Sequence, residues 1–306
     1  MKKQKQKQVS TERKKDKDYL IVNVEQKDYE LIDLRTNKPI FFYSDPLSEN
    51  KETGSAVFQE LDSIQFHTKI DGKKNTLEYF SPNSVGILLS VSNKSMVEAK
   101  SLYNEKINPD KINHFEIDEA LDRLSNITNK SRLVYDYIEL IQTSIVFGYT
   151  ALEAFVNLSI PDDYQHNEKN SKGINEIYDK EAIERWLSLK VKLSGILVSI
   201  YETKPIKQLQ LWTRYNQFEE YRNEIIHQKS VNHTNFYKKY FNKEIFNLCK
   251  VPEEIIKFFF DERTQNGQTN PLWPWVINAK NDFPSRFLDP ANVEITGNIF
   301  EGKFTK

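Results

Sequence analysis

Hydrophobic positions fall into two textures along this chain, short runs before residue 92 and longer helical periods after it. Residues 19–24 and 29–34 read as a first pair of strands, with 25–28 as the turn between them and 35–39 as the turn after. Residues 40–43 form a third short apolar run, closed by Asp45-Pro46. Residues 64–70 and 76–80 flank Asp71-Gly72-Lys73-Lys74-Asn75, the pattern of a hairpin with a loop of about five residues. Residues 85–91 are apolar enough to predict a central strand.

The period then lengthens. Ser95 with Glu98 forms a capping box, which predicts a helix from Met96 to Ile107, stopped by Asn108-Pro109. Ile117, Leu121 and Leu124 continue at helical spacing over 115–127. The longest helix is predicted over 131–159, where Val134, Ile138, Ile141, Ile145, Leu152 and Val156 make one broad apolar face. Gly148 weakens it locally, and Pro161 ends it. A polar loop over 162–173 carries His166. Further helices follow at 181–202, at 206–229, and at 236–261 with a break at Pro252. Beyond them lie an aromatic strap at 271–275 and a short hairpin at 293–304 around Gly297-Asn298. The pattern predicts an α+β protein: a tail at 1–18, a small β-rich unit at 19–110, a helical bundle at 111–265 and an irregular extension at 266–306.

Composition narrows the class. With 306 residues, 38% hydrophobic and 28% charged, the chain can bury a substantial core and has the make-up of a globular protein. The longest apolar stretch, 145–160, is interrupted by Glu153 and Asn157 and falls short of the roughly 18 residues of a membrane span. No apolar segment follows the basic N-terminus, so a secretory signal is not expected. Cys249 is the single cysteine, which excludes an intrachain disulfide and fits the cytoplasm. Net charge is −1, yet residues 1–18 carry +5; this tail reads as a solvated end.

Chemistry concentrates in Arg222-Asn223-Glu224-Ile225-Ile226-His227, late in the helix at 206–229. It joins a fixed cation, an amide and a side chain of the kind that titrates near neutral pH. Arg222 and His227, five apart, flank a helix groove about 140° wide, whereas Asn223 and His227 share a face. Over the three spacings from five to seven positions, chance alone would supply roughly 0.4 arginine–histidine matches in this composition. Ahead of the motif, Leu209, Trp212, Tyr215 and Phe218 form an aromatic face that reads as core. On the longest helix, Glu153 and Asn157 share a face beside the apolar stripe. A carboxylate there either pairs with a buried arginine or points to solvent between two helices.

Other chemistry finds less support. His67 reads as a structural strand residue, and His114 and His233 as solvated. His227 and His233 lack a cysteine pair or a His-Glu helix motif, so no metal is expected. Nine glycines supply no phosphate loop, so no nucleotide cofactor is expected either.

Together, Arg222-Asn223-Glu224-Ile225-Ile226-His227 and Leu152-Glu153-Ala154-Phe155-Val156-Asn157 resemble the HEPN superfamily, compact helical domains of which many are metal-independent ribonucleases. The hallmark is an arginine, usually a polar residue, then a histidine after four to six intervening positions. The resemblance covers about 115–262, so the bundle is expected to be HEPN-like. It implies RNA cleavage by attack of the ribose 2′-hydroxyl on the adjacent phosphate. His227 would be the general base or acid and Arg222 the phosphate clamp, with Asn223 positioning either group and Glu153 anchoring Arg222. It further implies a homodimer with two motifs facing each other, RNA as substrate, and a role as a toxin or antiphage effector held in check by an antidote partner. The alternatives are a non-catalytic module binding RNA, a nucleotide or a protein, and a helical interaction protein in which the motif is structural.

Overall fold

A computed structural model describes residues 18–22, 33, 35–37, 40–43, 56–67, 74–115, 118, 120–169, 173–227, 235–265, 285–287, 295–296 and 303–304. The architecture is α+β and separates into two units, one of residues 1–30, 37–81 and 283–306, the other of 31–36 and 82–282.

The first unit is a sheet built around one long strand. Strands β1 (Asp18–Val22), β2 (Ile40–Tyr43), β3 (Ala56–His67) and β4 (Lys74–Phe80) come first in the chain. The first half of β3 pairs antiparallel with β1 and β2, and its second half with β4, as in Ile64↔Leu77. The predicted hairpin is therefore present, but β3 begins at Ala56. The strand expected at 29–34 lies outside the described residues apart from Asp33, and the partners of β1 are β3 and a C-terminal strand.

The segment at 85–91 is not a strand. Helix α1 runs Ser84–Leu102, starting where the Asn83 side chain accepts from the Gly86 N–H at 3.1 Å. Val85, Gly86, Ser92, Met96 and Ala99 are its buried positions, and Val85, Ser92, Met96 and Ala99 among them follow a helical period that local apolar content concealed. Ser95, expected as a cap, lies mid-helix. The helix passes into a π-helical turn at Tyr103–Ile107, and Asn108 ends it. Because α1 packs along the longest helix, it belongs to the helical unit, whose boundary falls at residue 82 and not near 110.

Helix α2, Arg123–Ser159, is the axis of that unit. Asp122 caps it, accepting from Ser125 N–H at 2.8 Å; of the helix expected over 115–127, the described residues 115, 118 and 120–122 are not helical, and α2 takes the rest from Arg123. At about 1.5 Å per residue, its 37 residues extend roughly 55 Å. Tyr137, Ile141, Ser144, Gly148, Leu152 and Phe155 form its buried seam. Gly148 proves to be a point of close approach: a Cβ there would meet Ser92 Oγ at 3.0 Å and a Pro252 ring carbon at 3.1 Å. Ile160 closes the helix ahead of Pro161.

The polar stretch expected as a loop at 162–173 holds β5 (His166–Lys169), which pairs antiparallel with β6 (Asn175–Tyr178) just beyond it. The single helix expected at 181–202 is broken into α3 (Lys180–Trp186), a short turn α4 (Leu189–Val191), a π-helical turn at Lys192–Ile196 and α5 (Leu197–Tyr201). Pro205 precedes a 3-10 turn at Ile206–Gln208, and α6 then spans Gln210–Ile226. Tyr215, Phe218 and Tyr221 are its buried side. A 3-10 helix at Asn235–Tyr240, α7 (Glu244–Cys249) and α8 (Val251–Gln265) complete the unit, with Pro252 in the first turn of α8, where its missing N–H costs nothing. Back in the first unit, β7 (Ser285–Phe287) pairs parallel with β2, and β8 (Ile295–Thr296) with β9 (Lys303–Phe304) forms the expected C-terminal pair, β9 also joining β1. The aromatic strap at 271–275 and the tail at 1–17 lie outside the described residues.

Candidate functional site at the end of helix α6

Arg222, Asn223 and His227 occupy the last turns of α6. His227 is the C-terminal cap: its N–H donates to the Asn223 carbonyl at 2.8 Å, its backbone leaves the helix, and its imidazole is exposed. Asn223 is also exposed, and its Oδ1 accepts from an Arg222 terminal nitrogen at 3.1 Å. Asn223 thus holds Arg222 through its side chain and His227 through its backbone.

The Arg222 guanidinium carbon lies 4.5 Å from the centre of the Tyr149 ring on α2. Phe218, one turn earlier on α6, stacks on the same ring with centroids 6.3 Å apart. Burial pushes the Tyr149 phenol up to about 12; the nearby Glu219 carboxylate adds to the rise, Arg222 opposes it, and Glu153 contributes further. The hydroxyl of Tyr215 donates to Glu219 Oε1 at 3.1 Å, and Lys190 pairs with Glu219 Oε2 at 2.7 Å. A polar seam therefore runs through an otherwise apolar helix interface.

Glu153 does not pair with Arg222. Among the described residues no hydrogen bond or ion pair joins them, and both charges act on Tyr149 instead. The reason lies in α2, where Tyr149, Glu153 and Asn157 follow at four-residue steps on one face. Its far end meets a different cation. Lys192, 1% exposed in the π-helical turn, donates to Asn157 Oδ1 and to the Glu184 carbonyl, each at 3.0 Å. Burial lowers the Lys192 pKa, while the charges of Glu153 and Glu184 oppose that fall. Lys192, Tyr149 and Glu219 were missed from sequence. The four-residue ladder on α2 and a lysine inside the apolar run from Leu189 to Leu197 were the available signals.

The other side of α6 carries separate chemistry. Glu224 Oε1 accepts from Lys239 at 2.8 Å, and Lys239 stands 5.6 Å from the Tyr221 ring centre. A cleft of about 250 Å³ between α6 and α7 is lined by Arg214, Gln217, Tyr221, Asn242, Glu244 and Asn247. Its polar groups are largely engaged locally: Arg214 pairs with Glu254, Asn242 accepts from the Glu244 N–H at the start of α7, and Asn247 donates to Glu244. His114 Nε2 donates to the Ile107 carbonyl at 2.6 Å, a structural contact. His233 and the side chain of His67 lie outside the described residues. Among the described residues no group of three or more His, Cys, Asp or Glu is gathered to hold a metal ion, and no helix is long and apolar enough to cross a membrane. No family model matches the chain, and neither does any curated protein or solved structure.

Proposed function

We propose that the helical unit is a metal-independent endoribonuclease of HEPN type, in which Arg222 and His227 act at the exposed end of α6. The observation that carries this reading is the state of Arg222. Its guanidinium has no carboxylate partner among the described residues, being held by an aromatic face and one amide oxygen. An arginine so placed keeps its charge and most of its donors for an anion.

In this reading Arg222 takes the non-bridging oxygens of the scissile phosphate and stabilises the charge that grows on them. His227 accepts the 2′-hydroxyl proton as that oxygen attacks phosphorus, or donates a proton to the departing 5′-oxygen. Two proton transfers need two groups, so a second copy of the chain supplies its own His227 across a shared interface. Asn223 sets the spacing between the two groups. Glu153 contributes charge beside Tyr149 and does not anchor Arg222. Such an activity suits a toxin or antiphage effector restrained by an antidote partner.

The test is cleavage of total RNA in EDTA by wild type, Arg222→Ala and His227→Ala. The expected products carry 2′,3′-cyclic phosphate and 5′-hydroxyl ends, and each variant loses about 10²–10⁴-fold in rate. Cleavage that survives in both variants, or a wild type that neither cuts nor binds RNA, overturns the proposal. A non-catalytic RNA-binding module is the second reading; α6 and its cap carry one imidazole, His227, which favours it, since two proton transfers need two groups. Binding without cleavage would select it.

A further inference from the structure

We infer that Tyr149 is a positioning residue for Arg222: its ring seats the guanidinium while leaving the arginine's charge and in-plane donors available to a phosphate. This rests on the ribonuclease reading for its consequence, though the seat itself is independent of it.

The argument begins with what an anion-binding arginine requires. A flexible side chain must be held in one place, because ordering it during the reaction costs rate. A carboxylate would hold it, but would also neutralise its charge and take two of its five N–H donors. An aromatic face avoids that exchange: it attracts the cation through the ring quadrupole and accepts none of the in-plane hydrogens. Arg222 has this arrangement, 4.5 Å above Tyr149, with one further bond to Asn223.

The seat is rigid for reasons visible around it. Tyr149 is 8% exposed and lies on α2, the axis of the unit. Its ring contacts Phe218 and Arg222, which are one turn apart on the same side of α6. Gly148 beside it has no side chain, so Phe218 comes within 3.6 Å of where a Cβ would stand and the two helices approach closely. Glu219, three positions before Arg222 on α6, is tied to Tyr215 and Lys190, which keeps that carboxylate from competing for Arg222. The family resemblance implies Glu153 for this task, whereas Arg222 lies over the tyrosine one turn earlier.

The experiment uses the full chain with Tyr149→Phe, Tyr149→Leu, Arg222→Ala and the double variant Tyr149→Leu with Arg222→Ala, assayed on a short oligoribonucleotide. Tyr149→Phe keeps the ring and should stay within about twofold of wild type, whereas Tyr149→Leu should lower kcat about tenfold with KM little changed. The double variant should be no slower than Arg222→Ala alone, because Tyr149 acts only through Arg222. A Tyr149→Leu enzyme with wild-type kcat, or a double variant slower by the product of the two effects, overturns the inference. Thermal melts of each variant separate these losses from unfolding. If the wild type proves inactive, the ribonuclease reading fails, and the seat is then judged by NMR. The Arg222 Nε–H resonance should be shifted upfield in wild type and Tyr149→Phe and return to its ordinary position in Tyr149→Leu. An unshifted wild-type resonance overturns the seat itself.

Discussion

Single buried side chains in this protein carry the clearest physical consequences. Lys192 is the sharpest case, an ammonium with 1% exposure held by one amide oxygen and one carbonyl. Burial lowers its folded pKa below the ordinary 10.5, so over that window the unfolded chain binds more protons than the native one. Lys192 therefore makes stability rise as pH climbs toward 10.5. Comparing urea midpoints of wild type and Lys192→Met at pH 7 and pH 10 isolates the effect: the wild type should gain on the variant at the higher pH. An unchanged difference would show that the lysine is not held in a desolvated site. Cys249 gives a simpler check. Burial pushes its thiol up to about 11, so it should resist an aromatic disulfide reagent at neutral pH in the native protein and react on unfolding.

Among the elements, α2 sets the others in place. Its glycine at 148 lets α1, α6 and α8 converge, since Ser92, Phe218 and Pro252 all stand near the missing Cβ. Gly148→Val should destabilise the protein by about 2 kcal/mol or more, because overpacking outweighs the gain in helix propensity. A thermal melt would show this as a lower Tm, and an unchanged Tm would mean that the neighbours yield freely. The start of α1 offers a milder case: Asn83→Ala removes the acceptor for Gly86 N–H and should cost about 1 kcal/mol. Residues 85–91, which the cap commits to α1, are ambiguous by local pattern. Seven apolar-rich residues fit a buried strand or a buried helix equally well until the stripe at Val85, Ser92, Met96 and Ala99 is followed further.

For the molecule as a whole, buried tyrosines dominate the alkaline limb. Tyr137, Tyr149, Tyr215 and Tyr240 all have phenols raised above 10 by burial, Tyr149 to about 12. The unfolded chain releases these protons near pH 10 while the native one retains them. Their contribution is fully present below pH 10 and is lost as pH rises through the folded values. Urea midpoints should fall steeply between about pH 10 and 12, and a flat profile there would contradict the burial of these rings.

The chain's own pattern determined the division into a strand-rich part and a helical part, the hairpin of β3 with β4, the long helix ending at Pro161, and the helix that carries Arg222, Asn223 and His227. Those features depend on local periodicity, on proline and on turn chemistry, which nearby residues encode. Tertiary structure decided what pattern could not. Which cation meets α2 depends on which helix lies against which of its turns, so Glu153 faced Arg222 on paper and neither pairs with the other in the fold. The broken helix at 180–201 turned Lys192 inward, and only the packing of α6 on α2 brought Arg222 over Tyr149. A ring and a guanidinium separated by 73 positions leave no mark on local spacing; their meeting follows from how two buried faces close on each other.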